Sequence, residues 1–406
     1  MRLEYLTAGE SHGPQLTAII RGVPAGLAVT VEDINRDLAR RQQGYGRGAR
    51  MKIEKDTALI RSGIRKGFTL GSPVTLVVEN RDYQVWVDQM APEPGESTAA
   101  DSQRMMTRPR PGHADLPGVL KFGRRDARDV LERASARETA ARVAVGAVCR
   151  RFLAEMGITI FSHVINVGGI DAGASDLTYE EIRRRAETSP LRVARPEAEA
   201  PICELIDNAK KNGDTVGGIC ELIALGVPAG LGSTMNWDEK LDGRLAQGIM
   251  SCQAIKGVSI GMGFGVAAVP GSRVHDPIAF GQEPAKAGGH ARIPGRGPSG
   301  GFYHLSNNAG GIEGGMSNGE PIVVRAAMKP IATLMKPLQS VDLATKEPFE
   351  AGRERSDVCA VPAAGVVGEA IMAFILARVF LEKFGGDSMP ETRRNYDAYI
   401  QYMKDY

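Results

Sequence analysis

The pattern of apolar and polar positions along the chain predicts a mixture of strands and helices. Short apolar runs bounded by turn residues predict strands at residues 2–6, 16–20, 57–60, 74–78, 159–167 and 321–326. Polar stretches with helical periodicity predict helices at residues 31–41, 179–188 and 237–247. Thr30 is placed to cap the first of these helices, and Ser189-Pro190 to end the second.

A longer apolar stripe follows His113 and predicts one long alanine-rich helix. Its apolar members recur at mixed three-, four- and seven-residue spacing: Leu131, Ala134, Ala141, Val145, Val148 and Phe152. The many alanines allow a neighbouring element to approach closely, and Gly157 can end the helix.

The most apolar part of the chain, residues 358–381, predicts a buried helix over about residues 363–384. Pro362, Glu369 and Arg378 interrupt the run, which favours a core helix over a membrane span. The N-terminus has no apolar run typical of a signal peptide. We therefore expect a cytoplasmic protein that binds no membrane.

An internal repeat relates the two parts of the chain. The sequence Gly-Val-Pro-Ala-Gly-Leu occurs at residues 22–27 and again at residues 226–231, 204 positions later. An apolar strand precedes each copy and a polar helix follows it. The offset, half the chain length, predicts one large α/β (α+β) domain over residues 1–406. Its pseudo-two-fold halves span roughly residues 1–210 and 211–406.

Composition is that of an ordinary folded protein, with 24% charged residues and a net charge of +2. Five scattered cysteines without a C-x-x-C pair indicate a reducing compartment rather than a disulfide framework or a zinc site. The basic charge is concentrated locally. Residues 104–151 contain eleven arginines and one lysine against five acids.

Two histidines lie in loops where a side chain can reach a ligand. His12 lies in Gly-Glu-Ser-His-Gly, and His113 follows Pro109 and Pro111 immediately before the basic region. At the repeat offset Val216 stands opposite His12, so the histidine is present in one half only. A purely structural histidine would be expected in both halves, which favours a functional role for His12.

A basic, glycine-punctuated loop at residues 41–50 carries Arg41 and Arg47, which suit phosphate or carboxylate binding. A solvated basic face is an equally good interpretation of the sequence alone. The same loop resembles a dinucleotide fingerprint only superficially, because a helix rather than a strand precedes it.

The polar stretch at residues 81–103 predicts a long loop or flap.

Residues 295–319 contain nine glycines, whose backbone N–H groups could approach a ligand closely. Glu313 and Asp357 are the carboxylates best placed to act near that segment, and neither has the neighbours of a metal site.

Three classes of function remain open on the residues alone. The first is an enzyme acting on an anionic ligand. The second is a nucleic-acid-binding protein using residues 104–151, although aromatic residues form only 5% of the chain. The third is a phosphosugar isomerase without flavin.

Six motifs in order resemble the chorismate synthase family over nearly the whole chain, in its monofunctional bacterial form. They are residues 9–13, 41–50, 110–115, 132–137, 310–321 and 355–357. The resemblance implies a carbon–oxygen lyase of the shikimate pathway and of aromatic amino acid biosynthesis. That enzyme converts 5-enolpyruvylshikimate 3-phosphate to chorismate and phosphate by a 1,4-anti elimination. It needs reduced FMN without net redox change, and an external flavin reductase or a reductant such as NADPH would supply it.

The resemblance also assigns roles to individual residues. His12 would protonate the departing phosphate, His113 would serve the flavin as proton donor, and Asp357 would assist loss of the ring hydrogen. Arg41 and Arg47 would bind substrate anions. The positions matching FMN contacts are Arg133, Ala134, Ser135, Gln253, Ala254, Gly314, Lys329, Pro330, Ile331, Ala332, Thr333 and Arg355.

The family resemblance implies a β-α-β sandwich with internal pseudo-symmetry, assembled as a homotetramer that binds no nucleic acid. Two positions depart from the family pattern. Ala332 stands where proline is common, and Phe122 where tyrosine is frequent.

Overall fold

The structure is a computed structural model that describes residues 2–48, 55–93, 105–281, 286–287, 290–291, 295–354 and 356–406. Its α-helices are α1 Val31–Gln42, α2 Asp115–Phe122, α3 Arg128–Ala134, α4 Thr139–Glu155, α5 Tyr179–Thr188, α6 Glu199–Lys211, α7 Leu241–Met250, α8 Val361–Phe384 and α9 Met389–Asp405. Short 3-10 helices lie at Arg81–Val85, Ala136–Glu138, Pro196–Ala198, Trp237–Glu239, Gly263–Ala268 and Gly271–Arg273.

The strands form two larger sheets and several two-stranded hairpins. They are β1 Glu4–Ala8, β2 Gln15–Arg21, β3 Ala58–Ser62, β4 Ile64–Arg65, β5 Phe68–Thr69, β6 Val74–Glu79, β7 Thr159–Val167, β8 Ile170–Asp171, β9 Gly218–Leu225, β10 Ile255–Ile260, β11 Ile278–Phe280, β12 Lys286–Ala287, β13 His290–Ala291, β14 Phe302–His304, β15 Ile312–Glu313, β16 Met316–Ser317, β17 Ile322–Met328, β18 Gln339–Val341 and β19 Pro348–Glu350. The first sheet has the order β1-β2-β6-β3 and the second β10-β17-β9-β7-β8, with every neighbouring pair antiparallel.

The two sheets repeat one topology, as the sequence repeat predicts. The order β1-β2-β6-β3 corresponds to β7-β9-β17-β10, and in each half a long helix, α4 or α8, comes after the last of these strands. The predicted boundary near residue 210 is wrong, because the chain enters the second sheet at β7. The halves therefore divide between Glu155 and Thr159.

The helices fill the space between the sheets, which gives a β-α-β sandwich. Helix α4 packs against β2 and β6 of the first sheet, and α8 packs against β7 and β9 of the second. The two helices also pack on each other, and one continuous apolar core joins all these elements. The mixed α+β class predicted from the sequence is confirmed.

The predicted single helix after His113 is wrong, because the segment is divided into α2, α3 and α4. Gly123 adopts a left-handed conformation that ends α2. Ser135 is extended, and its hydroxyl accepts a hydrogen bond from the Arg137 backbone N–H. A serine that caps the next turn in this way competes with continuation of the helix. The break matters because it exposes residues 134–137 to a cavity described below.

Close packing of α4 on α8 depends on Gly146. A Cβ built at this position would lie 2.3 Å from Ala370 Cβ and 2.5 Å from its Cα. We expect Gly146→Ala to lower the free energy of unfolding by about 1–3 kcal/mol, because two helix backbones would have to separate. Urea denaturation measures this loss.

The control is Gly243→Ala in α7, where the nearest atom lies 3.9 Å from the built Cβ. This exposed helical glycine should tolerate alanine and gain roughly 0.5–1 kcal/mol. Equal urea midpoints for the two variants would contradict the close-packing account of Gly146.

Helix α8 is the one described helix long and apolar enough to cross a membrane. The mean hydropathy of its most apolar window is 2.0, and 83% of that window is buried inside the fold. The helix also carries Glu369, which is 0% exposed and paired with three arginines. Such a helix is typical of a protein core.

All five cysteines are unpaired, and four of them are buried. Burial raises the pKa of the Cys220 thiol to about 12 and those of Cys252 and Cys359 to about 11. Burial also raises the pKa of the Cys149 thiol. These side chains are packed as neutral thiols.

Candidate active site

A cavity of about 400 Å³ is lined by segments from both halves of the chain. The first half supplies the loop after β1, the end of α1, the loop before α2 and the break between α3 and α4. The second half supplies the turn before β10 and the segments after β17 and before α8. The volume lies within the range of small-molecule and cofactor sites.

His12 is held at this cavity by a buried carboxylate. Its Nδ1 is 2.8 Å from Glu132 Oε1, and its backbone N–H donates to Glu132 Oε2 at 2.8 Å. Burial alone would raise the pKa of Glu132, but the hydrogen bonds from His12 and the charge of Arg128 outweigh burial and lower it. An ionised Glu132 can only accept, so Nδ1 carries a hydrogen and any proton exchanged with a ligand passes through Nε2.

His113 is oriented in a similar way by Asp115, which is fully buried. The imidazole Nδ1 lies 2.5 Å from Asp115 Oδ1, and Arg110 donates to both oxygens of the same carboxylate. Burial would raise the pKa of Asp115, but His113 and Arg110 together lower it. Arg110 also donates to Thr333 Oγ1 at 2.9 Å, which links this group to the segment after β17.

Two arginines of the cavity wall share one buried carboxylate. Arg41 Nη1 donates to Asp56 Oδ2 at 3.2 Å, and Arg137 Nη1 donates to Asp56 Oδ1 at 2.5 Å. Burial lowers the pKa of Arg41 to about 10, and the charge of Arg137 acts in the same direction. Two guanidinium groups on one carboxylate leave an excess positive charge that an anionic ligand would neutralise.

Arg47 and Asp357, which both line the cavity, form an ion pair. Arg47 Nε is 3.3 Å from Asp357 Oδ2, and the Gly48 backbone N–H donates to Asp357 Oδ1 at 2.6 Å. Only glycine fits at position 48, because a Cβ there would lie 2.6 Å from the Ser356 carbonyl oxygen. The predicted substrate arginine and the predicted base are therefore neighbours.

The turn before β10 places an unpaired acceptor at the cavity. Gln253 Nε2 donates to Glu138 Oε2 at 3.3 Å, whereas its buried Oε1 has no hydrogen-bond partner among the described residues. Ala254 has a φ of 66°, a left-handed conformation that is costly for a residue with a Cβ. Local strain of this kind clusters at functional sites.

Most of the predicted site residues line the same cavity. His12, His113, Asp357, Arg41, Arg47, Ala134, Ser135, Gln253, Ala254, Lys329, Ile331, Ala332 and Thr333 all do so. Pro330 is absent from the lining, although both its neighbours are present. Arg355 lies outside the described residues.

Two predicted cofactor contacts lie away from this cavity in the single chain. The Arg133 side chain extends across β1, where it donates to the Thr7 carbonyl at 2.8 Å. Gly314 forms the turn of the β15–β16 hairpin, where the nearest atom to a built Cβ is Thr234 Oγ1. Glu313 belongs to the same hairpin and pairs with His304 at 2.9 Å rather than with the cavity.

Several wall residues received no individual role in the sequence analysis. Arg110 and Arg137 line the cavity directly. Asp56, Asp115 and Glu132 do not line it, but they form ion pairs with its arginines and histidines. Four of the five lie within two motifs, residues 110–115 and 132–137, that carried the family resemblance. Nothing in the local sequence singles out Asp56.

The lining of the cavity is strongly positive. Arg41, Arg47, Arg110, Arg137 and Lys329 supply five cationic side chains, against the two carboxylates Glu354 and Asp357. Clustered guanidinium groups in a partly enclosed site suit a ligand that carries several carboxylate or phosphate groups.

Comparison with known proteins identifies the family. The family model described as chorismate synthase matches residues 3–381. Chorismate synthases of Geobacter metallireducens and Geobacter sulfurreducens are 57% and 58% identical over 404 residues, covering 100% of both chains. That of Geobacillus sp. is 53% identical over 405 residues with the same coverage.

A solved structure agrees with these relatives. A crystal structure of chorismate synthase superposes with a TM-score of 0.77 at 42% identity, covering 100% of this chain and 99% of the other. The match therefore extends over the two sheets and over all segments that form the cavity. On these findings, the chain belongs to the chorismate synthase family.

Proposed function

We propose that this chain converts 5-enolpyruvylshikimate 3-phosphate to chorismate and phosphate, using reduced FMN without net oxidation. The observation that carries the proposal is the convergence of two oriented histidines, two carboxylates and five cationic side chains in one cavity. The substrate carries two carboxylates and a phosphate, which match such a wall. Full-length relatives named chorismate synthase support the same activity.

The residues present fit a flavin. The unpaired Oε1 of Gln253 can accept a hydrogen bond from an N–H or O–H group, and flavin rings and ribityl chains carry such donors. Ala134, Ser135, Gln253 and Ala254 would hold the group, together with the segment that contains Lys329 and Thr333. Reduced FMN, when bound, supplies electron density transiently to the substrate.

The chain's own residues account for the proton movements of the elimination. Arg41 and Arg47 would bind the substrate anions and fix the ring in one orientation. As the C–O bond to phosphate breaks, His12 would give its Nε2 proton to the departing phosphate. Asp357 would take up the ring hydrogen as the new double bond forms. His113, held by Asp115, would exchange a proton with the cofactor.

The expected result of an anaerobic assay is phosphate release with reduced FMN and no turnover with oxidised FMN. The physical reason is that the oxidised ring cannot donate electron density, although it fits the same cavity. Phosphate and chorismate should appear in equal amounts, and reduced FMN should not be consumed. Equal turnover with oxidised FMN, or phosphate release without chorismate, would contradict the proposal.

The proposal also covers the partners and location expected for the family: a homotetramer in the cytoplasm, with reduced FMN delivered by an external flavin reductase or by a reductant such as NADPH. Exposed apolar side chains support assembly into an oligomer. Phe264 is 90% exposed and Leu120 is 74% exposed. Such surfaces often mark protein–protein contacts.

A further inference from the structure

Trp86 packs directly on the imidazole of His12. The ring centroids are 4.2 Å apart and the ring planes are inclined by 30°, which is a stacked arrangement. Arg128 also lies over the indole of Trp86, and its guanidinium carbon is 4.8 Å from the ring centroid. Arg128 in turn donates to Glu132 Oε1, the oxygen that holds His12 Nδ1. The side chains of Trp86, His12, Glu132 and Arg128 therefore form a ring of contacts, each touching the next.

Trp86 directly follows a short helical turn at the start of the predicted flap. The predicted flap at residues 81–103 begins with the 3-10 helix Arg81–Val85; residues 94–103 lie outside the described residues. Trp86 N–H donates to the Tyr83 carbonyl at 2.7 Å, and the Trp86 carbonyl accepts from Met90 N–H at 2.9 Å.

Asn80, which precedes this 3-10 helix, ties it to the loop that carries His12. Its side-chain N–H donates to the Gly13 carbonyl at 2.7 Å and to the Glu10 carbonyl at 3.1 Å. The backbone on either side of His12 is thus fastened to the same segment that presents the indole.

The hydrogen bond to Glu132 does not by itself set the plane of the His12 ring. A bond at Nδ1 fixes the position of that atom but not the tilt of a ring about the Nδ1···Oε1 direction. The tilt moves Nε2, the nitrogen through which a proton must pass. The flat contact with Trp86 limits this tilt, and Asp82 Oδ2, 4.0 Å from Nε2, lies beyond the other end of the ring.

We propose that Trp86 is a positioning residue for proton transfer by His12: its indole fixes the plane of the imidazole and thereby aims Nε2 at the departing phosphate. The proposal rests on the proposed function, since it concerns the proton donor of that reaction. Trp86 itself does not line the cavity, so it acts through His12 rather than on the substrate.

The expected effect is on turnover rather than on substrate binding. An aromatic stack contributes about 0.5–1.5 kcal/mol, so losing it allows up to about a tenfold fall in the aligned population. We expect Trp86→Leu, which keeps an apolar side chain but removes the ring, to lower kcat by about tenfold. KM should stay within about twofold, because the substrate arginines are untouched.

A conservative variant separates positioning from mere packing. Trp86→Phe retains a flat ring and should keep kcat within about threefold of the original protein. The matched control is Trp237→Leu, which makes the same change at the only other tryptophan, an exposed one. It should leave kcat and KM unchanged.

Fluorescence tests the stack without turnover. In a Trp237→Phe background Trp86 is the only indole, and its emission is sensitive to contact with an imidazole. Adding His12→Ala should change the emission intensity or wavelength of Trp86 in the flavin-free protein. This measurement does not require Trp86→Leu to fold, and it distinguishes failure of the stack from failure of the proposed reaction.

Three results would overturn the inference. The first is unchanged kcat in Trp86→Leu. The second is an equal loss of kcat in Trp86→Phe and Trp86→Leu, since an aromatic ring at position 86 would then have no effect on turnover. The third is a Trp86 emission that does not respond to His12→Ala, because the two rings would not be in contact in solution.

Discussion

Replacement of His12 by alanine should lower kcat for phosphate release by about 10²–10⁴-fold, the usual contribution of a positioned general acid. His12 lines the cavity, and its ring is already oriented by a buried carboxylate. Glu132 holds both the ring and the backbone N–H of this residue, each at 2.8 Å. Alanine removes the proposed proton donor but leaves the arginines that we propose bind the ligand anions.

Steady-state kinetics with reduced FMN under anaerobic conditions measures this loss. Binding of oxidised FMN and of the substrate should remain within a few-fold, as titration of the flavin spectrum would show. The control is His275→Ala, because His275 is exposed and distant in sequence from every cavity segment. Wild-type turnover in His12→Ala would remove His12 from the mechanism and would leave His113 as the candidate acid.

A second large effect is expected at Glu369, in the middle of α8. Its carboxylate accepts from Arg40 of α1 at 2.7 Å, Arg150 of α4 at 2.6 Å and Arg192 at 3.1 Å, and from Ser162 Oγ at 2.6 Å. Burial would raise the pKa of Glu369, but the three arginines outweigh burial and lower it. One carboxylate therefore joins both long central helices to α1.

Glu369→Gln should lower the free energy of unfolding by roughly 3–5 kcal/mol, because three guanidinium groups would lose their shared buried counter-charge. Urea denaturation measures the loss. The control is Glu382→Gln on the same helix, because the Glu382 side chain is about one-third exposed and forms ion pairs with Arg244 and Arg378. Such a surface pair contributes about 0–1 kcal/mol. Similar urea midpoints for the two variants would show that the stability of the fold does not depend on the ion pairs between Glu369 and the three arginines.

Local sequence signals predicted single elements well. The strand at residues 159–167 and the helix at residues 179–188 begin and end where predicted. Thr30 forms the expected cap, with a reciprocal hydrogen bond from its backbone N–H to Asp33. These features depend on residues within a few positions of one another, and a single sequence contains that information.

Features that depend on distant parts of the chain were not predictable in this way. The break at Ser135 is stabilised by Ser11, whose hydroxyl accepts from Ser135 Oγ at 3.0 Å, and by Arg41, which donates to the Ala136 carbonyl. Asp56 joins Arg41 to Arg137, and Trp86 meets His12 across more than 70 positions. The family motifs contain most residues of the cavity, and also Asp115 and Glu132, which orient its histidines. They do not contain Asp56 or Trp86.

The buried thiols have a consequence for the chemical durability of the protein. Reduced flavin exposed to air generates hydrogen peroxide, which attacks thiolates far faster than thiols. Burial raises the pKa values of Cys149, Cys220, Cys252 and Cys359, so few of these side chains ionise at neutral pH. Under the proposed dependence on reduced flavin, the burial of these four thiols would slow their oxidation by the peroxide that forms when reduced flavin meets air.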